Sequence, residues 1–237
     1  MKCPFLLLCW LAGAAAPSPA GLTLNPVADA FVSAANSTSN YGLAGALSAS
    51  GASLANGAFD SVLKFNLASA QGATISSITL QLTASPPNNP IFNASAAGSF
   101  SIRWMANDSW AEGTGTPMSD PNPQDGITFG SLPPFLGASD EALGTFSFNG
   151  ATSGTNIWSL ALTPSFLADV TVGNLVSLLI VPADSTMSYT FNSVNNLNSA
   201  RWPVLTVTTV PEPTAGGLLA TPGCMLLMRR WRHARTA

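Results

Sequence analysis

The chain has 237 residues, is 46% hydrophobic and only 8% charged, and its three cysteines (Cys3, Cys9, Cys224) and single histidine (His233) all lie near the termini. The central segment therefore has no disulfide, no thiol and no imidazole, which excludes a Ser-His-Asp triad, a histidine zinc site and cysteine chemistry there. Residues 21–210 carry ten acidic and three basic side chains, a net charge of −7, which argues against nucleic acid and anionic lipid as partners and leaves neutral glycans, divalent cations or proteins.

In chain order, Lys2 precedes an apolar run from Pro4 to Ala16, and Pro17-Ser18-Pro19-Ala20 follows. This is the pattern of a secretory signal helix over residues 1–20, with cleavage after Ala16 or Ala20. Period-two alternation then predicts half-buried strands. Leu63, Phe65 and Leu67 share one face, with Val62, Lys64 and Asn66 opposite; Ile78, Leu80 and Leu82 share another; Phe100, Ile102 and Trp104 a third. Further strands are expected over 28–32, 47–50, 144–148, 156–162, 175–181, 188–191 and 204–210. Asn56-Gly57, Asn149-Gly150 and Gly173-Asn174 supply turns. Residues 113–137, rich in Pro, Gly and Asp, read as a long loop, either a binding loop or an insertion. Thr163 to Val170 predicts one helical turn, with Thr163 capping and Pro164 at the first helical position. The expected fold class is all-β, a jelly-roll-like antiparallel β-sandwich over residues 21–209, flanked by the signal helix and a C-terminal hydrophobic helix.

Residues 210–237 form the last segment. Thr214 to Met228 is uncharged, and Arg229, Arg230, Arg232 and Arg235 follow. An apolar run closed by arginines has the form of a stop-transfer segment, with the arginines on the cytoplasmic side. At 15 residues it is shorter than the ~20 that span a bilayer.

Trp110, Trp202 and Tyr41 are the candidates for stacking on a sugar ring, since an aromatic face packs against the C–H face of a pyranose. Trp104, in phase with Phe100 and Ile102, is assigned to the core. Asp120 and Asp125, around Pro121-Asn122-Pro123, are the candidate ligands for one structural calcium, which takes loop oxygens; taken singly, they read as turn formers. Asp108 and Glu112 flank Trp110 and offer a carboxylate pair for glycoside hydrolysis, or simply two solvated acids beside a buried Trp.

Two resemblances rest on these residues. Val210-Pro211-Glu212-Pro213, the Gly216-to-Ala220 run and Arg229-Arg230-Trp231-Arg232 resemble the tripartite PEP-CTERM sorting signal, which implies an exosortase-type processing enzyme as partner and transient membrane anchoring. Residues 24–209 resemble the DNRLRE family of secreted jelly-roll domains, similar to carbohydrate-binding modules, through Ala28-to-Val32, Asn40-Tyr41-Gly42, Val62-to-Leu67, Ala73-to-Leu82, Trp110-to-Thr114 and Arg201-to-Val207. Asn66 stands where that family has Asp, Trp202 separates Arg201 from Pro203, and no acid follows Ser193. The resemblances imply a non-catalytic envelope or matrix protein with a structural or exopolysaccharide-binding role. A polysaccharide-active enzyme using the carboxylate pair, and a ligand-free adhesion component, are the alternatives.

Protein recovered from the host envelope and medium is expected to lack the signal segment and everything after about Pro213 by mass spectrometry. An intact tail in the inner membrane would instead make it a plain tail-anchored protein.

Overall fold

The computed structural model describes residues 20–87 and 94–210. The expected signal helix before Ala20, the expected C-terminal helix, Pro211 to Pro213 and the tail arginines lie outside the described residues. Among the described residues no helix is long and apolar enough to cross a membrane.

Among the described residues the strands are β1 (Ala20–Leu24), β2 (Ala28–Ser33), β3 (Ala46–Ser50), β4 (Phe59–Asn66), β5 (Ile75–Thr83), β6 (Gly98–Met105), β7 (Glu141–Phe148), β8 (Thr155–Leu160), β9 (Leu175–Pro182), β10 (Ser188–Asn192) and β11 (Val204–Thr209), with one α-helix, α1 (Pro164–Val172). They form an antiparallel sandwich of two sheets. The smaller runs β1-β11-β5-β8; the larger runs β10-β3-β4-β9-β6-β7, with β2 also paired to β4.

Strand β5 shows why the sheets face each other. Ile78, Leu80 and Leu82 are fully buried, while Thr79, Gln81 and Thr83 lie half-exposed on the outer side. Pairing places Leu80 opposite both Leu205 of β11 and Trp158 of β8. The inner faces of the larger sheet add Leu63, Phe65, Phe100, Ile102, Leu178 and Ile180. Tyr189 of β10 sits amid aromatic rings, 4.1 Å from Phe148 and 5.0 Å from Phe191 between centroids. Each fully buried side chain of this size contributes roughly 1.5–3 kcal/mol of transfer free energy.

The larger sheet is also covered on its outer face. Ala30, Val32, Val62, Met105 and Leu179 point there, and Trp110, Ile127 and Leu132 from the long segment after β6 pack onto them. The segment expected as a loop is thus in part a lid over the sheet. Lys64, on the supposedly solvated face of β4, is consequently buried. Strand β1 went unanticipated: only Leu22 and Leu24 pack inward, while Gly21 and Thr23 are exposed. This alternation is too brief to read.

The helix is longer than the single turn expected. Pro164 opens it, but the cap comes from elsewhere. The Glu141 carboxylate of β7 accepts from the Ser165 and Phe166 backbone N–H groups and from the Thr163 hydroxyl. A carboxylate there satisfies orphan donors and complements the positive end of the helix dipole. At the other end Gly173 adopts φ 81°, the left-handed conformation that ends a helix. A β-carbon there would come within 2.9 Å of Gln71 Cβ.

The Thr163 hydroxyl and the helix N–H groups hold the Glu141 carboxyl down at about 2. Its stabilisation is therefore present above the ordinary carboxylate range and is lost as pH falls toward 2. Glu141→Gln is expected to lower Tm at neutral pH, with the gap to wild type closing as pH approaches 2, by calorimetry.

Candidate functional site

At one end of the sandwich, three loops are tied to β2 by a buried polar junction. Asp29 of β2 is fully buried. Its Oδ1 accepts from the Ser193 hydroxyl and its Oδ2 from the Val194 N–H, both at 2.7 Å. Glu112 Oε1 accepts from the Asp29 N–H at 3.1 Å and from Asn195 Nδ2 at 2.8 Å. Beside them Asn40, also fully buried, donates through Nδ2 to the Glu112 and Ile127 carbonyls and accepts at Oδ1 from the Gly42 and Gly115 N–H groups. Its amide capacity is saturated. Glycine is required at 115 because a β-carbon would lie 2.0 Å from the Asn40 carbonyl oxygen.

Above this junction lies a groove of about 500 Å³, lined by Gly45, Ser85, Asn192, Asn195, Asn196 and Arg201 among others. Its amides are braced: Asn192 Nδ2 donates to the Thr83 carbonyl at 2.9 Å, and Asn196 Nδ2 donates to Asn192 Oδ1 at 3.0 Å. Half-exposed Trp202 stands alongside, its indole N–H donating to the Asn196 carbonyl at 2.7 Å. No carboxylate is among the described lining residues. Amides and a guanidinium next to an indole suit recognition of hydroxyl-rich ligands by hydrogen bonding and ring contact.

Of the three stacking candidates, only Trp202 keeps exposed surface of this kind. Trp110 is 2% exposed; its indole N–H donates to Ser177 Oγ at 2.9 Å, and the Lys64 ammonium lies 4.2 Å from the ring centroid. Tyr41 is 4% exposed and stacks on Phe31 with centroids 4.4 Å apart. Both rings seal the fold because apolar strand faces lie beneath them, so neither offers a free face. Trp104 is buried in the core as expected from its phase.

Asp120 and Asp125 are exposed in the long loop. Thr114 bonds both Asp125 oxygens, through its N–H at 3.0 Å and its hydroxyl at 2.7 Å, which holds that carboxyl below its usual range. Among the described residues no three His, Cys, Asp or Glu side chains converge as a metal cluster. Asp108 and Glu112 enter different surroundings. Glu112 braces the junction, whereas Asp108 lines a second groove with Trp104 and α1. Sequence reading overlooked the junction, although an acid inside the apolar strand Ala28-to-Val32 was a visible signal.

Burial pushes the Asp29 carboxyl up to about 7; the Val194 and Ser193 donors only partly offset it, and the Glu112 charge adds to it. Burial likewise raises Asp60 to about 6. A raised carboxyl stabilises the fold below its unfolded pKa, and this contribution is lost as pH rises through the folded value. Tm is therefore expected to fall between pH ~4 and ~7, from the ordinary carboxylate value up to the raised ones. Asp29→Asn should lower Tm at the acidic end, through loss of one acceptor, and flatten the slope to the part due to Asp60. An unchanged slope in scanning calorimetry would refute this.

No curated protein matches the chain. The model of carbohydrate-binding module family 96 matches residues 20–133, which take in β1 to β6, the Asp29, Asn40 and Glu112 members of the junction, and much of the long segment. A carbohydrate-binding module family 96 domain is thus found over residues 20–133, just under half of the chain.

Proposed function

We propose that this is a non-catalytic glycan-binding protein of the cell envelope or extracellular matrix, and that the groove beside Trp202 receives the glycan. The match over residues 20–133 to a carbohydrate-binding module carries the glycan-binding reading, and the choice of groove rests on its lining and on the Trp202 beside it. Arg201 and the braced Asn192, Asn195 and Asn196 amides supply hydrogen bonds to sugar hydroxyls, and Trp202 supplies the ring contact. The acidic domain favours a neutral or donor-bearing polymer over nucleic acid. The hydrolytic alternative needs Asp108 and Glu112 to face one bond, and Glu112 is committed to Asp29 and Asn195. Delivery follows from the ends of the chain: an exported precursor, transiently anchored by residues 210–237 and processed at Val210-Pro211-Glu212-Pro213 by an exosortase-type enzyme, entering an exopolysaccharide matrix.

Affinity electrophoresis against a panel of matrix polysaccharides tests the binding. Wild type should be retarded by at least one of them, and Trp202→Ala should weaken that retardation about tenfold. Migration unaffected by every glycan would overturn the proposal.

A further inference from the structure

Beneath the groove beside Trp202 lies a fully buried acid held only by neutral donors. The Ser193 hydroxyl and the Val194 N–H bond the Asp29 carboxyl, and no cation is among the described groups that act on its charge. Both donors stand in the loop after β10, immediately before Asn195 and Asn196 of the groove wall. Ser193 relays the tie. Its hydroxyl donates to Asp29 and accepts from the Asn195 N–H at 2.9 Å, and its carbonyl accepts from the Asn196 N–H at 3.1 Å. Trp202 holds to the same loop through the Asn196 carbonyl.

The charged groups around Asp29 do not relieve its burial. The long segment contributes Glu112, a second acid, whose Oε1 accepts from the Asp29 N–H. On β4, Leu63 stands opposite Asp29; the next residue, Lys64, turns its ammonium to the Trp110 carbonyl, and Asp60 pairs with Val32 further along. Residues 193–198 and strand β3 have no titratable side chain. The Asn40 turn offers Tyr41, which is stacked on Phe31.

Two acids thus share a dry junction, where an ionised carboxylate is costly. A protonated Asp29 still suits the loop: its carbonyl oxygen accepts from Val194, and the Ser193 oxygen has a second lone pair for the acid proton. We propose that the junction is a pH-operated clasp on the groove, holding the Ser193–Asn196 loop closed while Asp29 is protonated and releasing it when Asp29 ionises. Release admits water to the carboxylate and displaces Asn195, Asn196 and the footing of Trp202. Regulation of glycan binding by the clasp rests on the reading of this groove as the glycan site; the opening itself does not. Burial holds the closed carboxyl at about 7, and opening returns it to the ordinary value of about 4, so opening releases a proton between the two. Opening therefore grows by up to about tenfold per pH unit from pH ~4 to ~7 and is level above.

Amide hydrogen exchange of the purified protein, read by NMR and corrected for the intrinsic pH dependence of exchange, tests the clasp. Protection of the Val194 amide should fall at least about tenfold from pH ~5 to ~7. Low urea should leave its exchange unchanged, because local opening exposes little surface, while Leu80 in β5 stays better protected and responds to urea. In Asp29→Asn the Val194 protection should not vary over this range. Glu112→Gln removes a charge that raises the Asp29 carboxyl, and should move the change to lower pH. A matrix polysaccharide that retards the wild type should retard it more at pH ~5 than at pH ~7, and equally at both in Asp29→Asn. Wild-type protection independent of pH, the same fall in Asp29→Asn, a urea response of Val194 matching that of Leu80, an unshifted change in Glu112→Gln, or retardation indifferent to pH would each overturn the proposal. The expected exchange with no polysaccharide retarded would uphold the clasp and overturn the glycan reading of the groove.

Discussion

The Asp29 carboxylate is the constraint on which one end of the molecule depends. It sits in a strand whose neighbours are apolar, so it loses its hydration entirely, and desolvation of a charged group is costly unless donors replace water. Two donors do so, the Ser193 hydroxyl and the Val194 N–H, and both belong to the loop that follows β10. Glu112 then binds the Asp29 backbone N–H and the Asn195 amide, and Asn40 gathers the carbonyls and N–H groups of the segments around it. Segments remote in sequence are fixed by groups that would be unsatisfied apart. The groove residues Asn195 and Asn196 inherit their positions from this arrangement.

The long segment between β6 and β7 has a matching role on the face of the larger sheet. Its polar, turn-rich composition hides three anchors, Trp110, Ile127 and Leu132, which exclude water from Val62, Leu179 and their neighbours. Lys64 is buried by the same lid, and its ammonium donates to the Trp110 carbonyl and lies over the indole face, a hydrogen bond combined with a cation–π contact; burial lowers its pKa, and the Asp108 and Glu112 charges oppose that shift. Trp110 therefore acts on both sides at once, as apolar plug and as partner of a buried cation.

The two grooves differ in the sign of their chemistry. The one above the Asp29 junction offers amides and a guanidinium; the one against α1 offers two carboxylates at the negative end of a helix. They draw on different elements, the loops around β3 and β10 for the first and β6, α1 and β9 for the second.

The sequence by itself determined the strands other than β1, because alternation over Ile75–Thr83 or Gly98–Met105 is a local pattern that a two-sheet core selects directly. It also determined the helix start, through Thr163-Pro164, and the absence of thiol and imidazole chemistry from residues 21–210. Tertiary structure decided which aromatic rings remain available. Trp110 lies in a polar stretch with no periodicity, so nothing local says that it fills the surface over Ser177, and Tyr41 reads as a turn residue until Phe31 is placed beneath it. The helix cap was undecidable for the same reason, since the acceptor Glu141 is 22 residues before Thr163. Local patterns report burial of a face. The pairing of a polar group with its distant partner appears only when the chain is folded, because desolvation, and with it the need for that partner, arises only there.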